Sequence, residues 1–217
     1  MNRLRFRKEG KAKFISHLDL MRTMQRVFIR GGVEIKHTEG FNPHPYMNFM
    51  LPLPVGMESL CELMDFELRG DMPLSEIPAA LNRTMPEGIT VTEAYESPRK
   101  FKEVAFLRIR GELEYDDGSA EAQAEKLREL FSRSELVVEK KTKRGSAESN
   151  IAEGISGMTL TPEDKKVVLE AVLSVQPVMI SPMLLVEAIR KYLPDSVPDM
   201  ARFTRLEALD ADKEIFR

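Results

Sequence analysis

Apolar and polar positions alternate along residues 3–8 (RLRFRK) and 12–16 (AKFIS), which predicts two short strands with a break at Gly10. Residues 16–32 switch to helical spacing, with Leu20, Met21, Met24, Val27 and Phe28 on one face. Ser16 followed by Asp19 is a capping box in its acidic form, and Gly31-Gly32 stops the helix. VEIKH (33–37) and LCELMDFELRG (60–70) alternate as strands, PLSEIPAALNRTM (73–85) reads as a helix with Pro78 near its start, and ITVTEAYES (89–97) reads as a strand. The resulting order is β-α-β-β-α-β.

A break at 97–103 (SPRKFKE) is followed by the same order. Strands are predicted at 104–113, 135–143, 167–176 and 201–210. Helices are predicted at 119–133, capped by Ser119, and at 181–193, with proline in its first turn. The small, polar stretch 144–164 is expected to be a long mobile hairpin or loop. The fold class this predicts is α+β, with two tandem ferredoxin-like (split βαβ) units and antiparallel sheets. Residues 1–97 would form an N-terminal unit and 103–217 a C-terminal one. A single mixed sheet is the alternative.

One segment resists the alternation. Residues 38–56 read TEGFNPHPYMNFMLPLPVG, with prolines at 43, 45, 52 and 54. Each proline fixes its own φ, removes a donor and pushes its predecessor toward extended backbone. A stiff loop is expected, holding Phe41, Asn42, His44 and Tyr46 outward with little entropy left to lose on binding.

Composition narrows the classes. The chain has 217 residues, 42% hydrophobic and 31% charged, as in a globular protein. Cys61 is the only cysteine, which excludes an intramolecular disulfide and a cysteine-rich zinc site. No apolar run approaches a membrane span, and the basic N-terminus lacks the apolar core of a signal peptide, so a cytoplasmic location is expected. The net charge of −3 is unevenly spread. Residues 1–50 hold ten Lys/Arg against four Asp/Glu, a net of +6, while residues 51–97 hold two against nine, a net of −7. The basic section, all three histidines and the proline loop coincide, which suggests an anionic partner unless the acidic section folds beside the basic one and neutralises it.

FISHLDLMRTMQRVFIRGG followed by EGFNPHPYMNFMLPLPVGMES closely resembles the radical SAM-linked protein family, a bacterial domain of unknown function fused to or encoded beside radical SAM proteins. The resemblance is dense over residues 3–70 and extends more loosely to about 210. It implies a radical SAM protein as partner, and that partner would carry S-adenosylmethionine and an iron–sulfur cluster. With one cysteine the chain itself cannot ligate such a cluster, so no cofactor is expected on it.

Candidate chemistry centres on Ser16, His17, Asp19, Arg22, Arg26 and Arg30 of the first helix, with the loop residues above. On a helical wheel His17 lies at the end of the apolar face, and the three arginines form a stripe opposite. That stripe is either a phosphate-tracking surface or a solvated face. No catalytic residue is assigned. If there is one, it is His17 or His44, because imidazole titrates near neutral pH. No metal site is expected, since His17, His37 and His44 lack ligand spacing. There is no Walker loop and no GxSxG elbow. Nine of the thirteen methionines lie in residues 1–85, consistent with core packing or an adaptable interface.

Three functions are compatible with these features. The first is an RNA-binding accessory module for a radical SAM enzyme, with Phe6, Phe14 and Phe49 stacking bases beside Arg3, Arg5, Arg7 and Lys13. The second is a metal-independent endoribonuclease of ferredoxin-like architecture. The third is a docking subunit that binds only the partner protein.

Overall fold

The computed structural model describes residues 1–142 and 145–217. The last residue of the strand expected at 135–143 and the first of the stretch at 144–164 lie outside the described residues. The chain divides into two compact units, Met1–Phe101 together with Arg217, and Lys102–Phe216. Both mix α-helices with antiparallel strands, so the class is α+β.

The first unit contains β1 (Asn2–Lys8), α1 (His17–Arg30), β2 (Met47–Phe49), β3 (Glu58–Phe66), α2 (Ile77–Asn82) and β4 (Ile89–Glu96). Its strands lie in the order β4-β1-β3-β2, every neighbour antiparallel. Alternation assigns the sheet's two faces. Leu4 and Phe6 of β1 join Met64 and Phe66 of β3 in one buried cluster with Leu20, Met24, Val27 and Phe28 of α1. Arg3, one residue out of phase, takes the other face. There it forms a buried ion pair with its register partner Asp65 at 2.7 Å, and its guanidinium lies over the Phe101 ring. A buried pair of this kind adds little net stability, but losing one partner leaves a charge stranded out of water.

Two expected strands take other forms. Residues Gly10–Phe14 make a 3-10 turn rather than a strand, because Gly10 turns at φ +57° and the buried Lys8 ammonium donates to Ile15 O at 2.7 Å, folding the segment back. Residues 33–37 form only isolated bridges, Ile35 with Leu68 and His37 with Pro45. Helix α1 ends as its glycines demand. Gly32 adopts φ +69° and Val33 N–H donates to Phe28 O at 3.0 Å, the wider bond of a Schellman stop. Pro78 lies in the first turn of α2, where its missing donor costs nothing.

The second unit contains β5 (Phe106–Glu114), α3 (Ala120–Phe131), β6 (Val137–Thr142), β7 (Gly145–Asn150), β8 (Ile155–Glu163), β9 (Lys166–Ser174), α4 (Met183–Tyr192) and β10 (Met200–Leu209). Strands β10-β5-β9-β8 form its sheet in that order, all antiparallel, while among the described residues β6 and β7 pair only with each other. The strand expected at 135–143 is therefore one arm of a separate hairpin. Within 144–164, β7 supplies the other arm and β8 is a full sheet strand. Small and polar residues conceal β8, in which only Leu160 is buried.

Among the described residues no helix is long and apolar enough to cross a membrane.

Candidate functional site

The proline loop is closed by backbone pairing that avoids its prolines. Thr38 N–H donates to His44 O and Tyr46 N–H donates to Lys36 O, both at 2.8 Å, so the pairing runs through the residues on either side of Pro45 and needs no donor from Pro45 itself. The Thr38 hydroxyl accepts from His44 N–H at 3.1 Å. His44 Nδ1 lies 3.1 Å from that hydroxyl and 3.3 Å from Asn42 O. A carbonyl only accepts, so the Nδ1–H tautomer satisfies both contacts and leaves Nε2 as an acceptor. These bonds brace a tip, residues 39–43, on which Phe41 is wholly exposed. Asn42, His44 and Tyr46 are exposed beside it. At the far end of the loop Leu51 sits at φ +34°, a strained setting for a branched residue.

The loop returns to the start of α1. The Phe49 ring stands edge-on to His17, 5.4 Å between centroids, and edge-on to the buried Phe6 at 6.4 Å. His17 is thus a half-buried packing residue at the head of the apolar face. Gly56 N–H donates to Lys13 O at 2.9 Å, which brings the loop exit beside the 3-10 turn. Three apolar side chains stay in water here: Phe14 (65% exposed), Leu18 (63%) and Val55 (60%).

Ser16 caps α1 by accepting from Asp19 N–H at 3.2 Å and donating its hydroxyl to the Asp19 carboxylate at 2.7 Å. The carboxylate reaches the Ser16 hydroxyl rather than its backbone N–H, a variant of the capping box. That hydroxyl, with Arg22 at 3.2 Å, holds the Asp19 carboxyl below the usual carboxylate range. The arginine stripe is not uniform. Arg22 is tied to Asp19, Arg30 donates to Thr84 O at 3.1 Å, and Arg26 makes no hydrogen bond or ion pair among the described residues.

The expected stacking platform does not form on the sheet. Phe6 is fully buried under α1, Phe14 lies outside any strand, and Arg3 is buried against Asp65. Alternation along β1 reveals two faces but not which one the helices cover. Nor do His17, His37 and His44 gather with other ligands: no group of three or more His, Cys, Asp or Glu side chains converges among the described residues.

Beside the loop a cleft of 380 Å³ opens at the C-terminal end of α1, with the His37–Pro45 bridge on its wall. Gln25 and Arg69 line it too, and no sequence motif singles out either. Arg69 follows the end of β3 in a polar turn, where nothing in the local pattern marks it. A larger cleft, 640 Å³, lies in the second unit between β6 and α4.

Residues 2–182 match the family described as "Uncharacterized protein conserved in bacteria (DUF2344)". The chain belongs to this family. No curated protein matches this member of it. Among solved structures, it is similar to a chain of the "Crystal Structure of a Cbf5-Nop10-Gar1 Complex" at 8% identity and a TM-score of 0.48, over 95% of its own length. It spans 48% of that chain, about half. A second similarity, to the "Crystal structure of putative glycine cleavage system transcriptional repressor", has 11% identity and a TM-score of 0.25, over 94% of this chain and 96% of the other.

Proposed function

We propose that this DUF2344 member is a non-catalytic accessory module that binds single-stranded RNA for a radical SAM enzyme, through the proline loop and the outer face of α1. The observation that carries the reading is Phe41, wholly exposed on a tip braced by the Thr38, Asn42 and His44 bonds. An aromatic ring in water on a braced backbone offers a stacking surface for any base. Arg22 and Arg26, exposed along α1, supply cations for the RNA backbone. The radical SAM partner follows from the resemblance of residues 3–70. We further propose that both units are ferredoxin-like split βαβ folds. In each, the fourth, first, third and second sheet strands lie side by side, which supports that assignment.

A docking subunit is the second reading, favoured by the exposed Phe14, Leu18 and Val55, which RNA binding does not require. No observation favours the endoribonuclease. His17 packs on Phe49, and neither it nor His44 is hydrogen-bonded to a carboxylate, lysine or second histidine among the described residues. The deciding experiment is recovery of the tagged full chain from its host, with RNA and protein identified in one eluate. RNA that survives washing and falls away in a Phe41→Ala variant supports the module. A protein partner retained after nuclease and high salt, with no RNA, supports the docking subunit instead.

A further inference from the structure

We infer that the 380 Å³ cleft at the C-terminal end of α1 is a pocket for one unstacked nucleotide of the bound RNA strand. The inference rests on the RNA-binding reading and adds where one base goes. The cleft's volume lies in the range of small-ligand sites. Part of its lining is apolar: Phe28 and Ile29 from α1, Val33 and Ile35 from the segment that follows, and Pro45 from the loop. An apolar surface suits the face of a base.

The polar groups on the same lining are of mixed kind. Gln25 offers an amide that both donates and accepts, Glu34 accepts only, and His37 has two ring nitrogens. A base edge presents donors and acceptors together and can satisfy such a set. An acyl chain or a simple aromatic ring would leave it unpaired. The remaining group is Arg69. Its backbone N–H donates to Glu34 O at 2.8 Å, yet among the described residues its guanidinium forms no ion pair with Glu34 or any other carboxylate. A guanidinium on the lining of a cleft, without a carboxylate partner, is matched by a phosphate.

Placement links the cleft to the loop. His37 and Pro45 face each other across one bridge, line the cleft and form the base of the loop that carries Phe41. Phe41 lies four positions along the chain from either, a reach of no more than about 14 Å. A single strand stacked on Phe41 therefore has its neighbouring nucleotides within reach of the cleft.

The test is a titration of the full chain with the common ribonucleoside 5′-monophosphates, and with ribose 5-phosphate as the base-free control, read by methyl resonances of Val33 and Ile35. The same samples are titrated with a single-stranded RNA oligonucleotide. At least one monophosphate is expected to shift those methyls saturably, with ribose 5-phosphate at least about tenfold weaker. Arg69→Gln should weaken the monophosphate by about tenfold, as removal of a charge-assisted hydrogen bond does. Gln25→Trp, at a half-exposed helix position, should block it by filling the cleft while the dispersed methyl spectrum of the folded chain is retained. RNA that binds while no monophosphate shifts the methyls overturns the pocket and leaves the RNA reading standing. Monophosphate binding without RNA binding overturns the RNA reading and leaves a nucleotide pocket. Ribose 5-phosphate binding as tightly as the monophosphates overturns the base assignment, and failure of both titrations overturns both.

Discussion

The two units place their sheet strands in the same order, yet they differ in the chain between the first helix and the second strand of the sheet. In the second unit that stretch is a self-paired hairpin, β6–β7, followed by the nine-residue strand β8. In the first unit it is the proline loop, and the corresponding strand, β2, has three residues. The hairpin's backbone groups pair strand to strand and, at Val137, with the Lys191 and Tyr192 side chains of α4. The loop pairs at the His37–Pro45 bridge and, through β2, with β3, and leaves Phe41 in water. Sheet order is set by which faces must be buried. The connection is free of that demand, so it can carry recognition.

The largest contrast between the units to test is in their ion pairs. Arg3–Asp65 in the first is buried, whereas Arg108–Glu207 in the second, also at 2.7 Å, keeps both side chains partly in solvent. Asp65→Ala should lower stability by about 3–5 kcal/mol and Glu207→Ala by under about 1 kcal/mol, measured by urea unfolding. Equal losses would mean that burial does not distinguish them.

Next comes the contrast between loop and hairpin. Phe41→Ala should cost RNA affinity about 1–3 kcal/mol, the scale of one stacked base, with thermal stability unchanged. Glu148→Ala on the exposed face of β7 should leave affinity unchanged, as read by fluorescence anisotropy. If the hairpin variant weakens binding and the loop variant does not, the site is in the wrong unit.

The smallest effects separate the helix caps. Ser16→Ala and Ser119→Ala should each cost about 1 kcal/mol. The Ser16 bond to Asp19 N–H, 3.2 Å, is shorter than the Ser119 bond to Ala122 N–H, 3.4 Å, so Ser16 should cost more. Each serine hydroxyl also holds its neighbouring carboxyl, Asp19 or Glu121, below the ordinary range. A depressed folded pKa stabilises above the unfolded value and is lost as pH falls through the folded one. Carbon-13 titration should therefore give both midpoints below those of free side chains, each rising in its Ser→Ala variant.

Where burial imposes a period, the elements are legible in the sequence. Leu20, Met24, Val27 and Phe28 announce α1, and Leu4 with Phe6 announce β1. Residues 12–16 alternate like a strand but turn instead, because the buried Lys8 pulls on Ile15 O from outside the segment. Strand β8 is hidden because an exposed strand with one buried residue has no apolar face to read. Around the candidate site, the stiffness of residues 38–56 can be read from the prolines, and the Ser16 cap from its spacing to Asp19. The fate of Phe6 and Arg3 cannot, because period two does not say which face the helices cover. The Arg69 cleft is lined by residues from 25–45 and by Arg69 from beyond β3, and no local pattern marks that meeting.

The most direct test of the central claim is the salt dependence of single-stranded RNA binding to the full chain and to an Arg22→Gln/Arg26→Gln variant. Log K is predicted to fall linearly with log salt, and the variant's slope to be shallower by about 1.4, roughly 0.7 for each phosphate that the variant no longer neutralises. RNA that does not bind, or that binds with the same slope in both proteins, would contradict it.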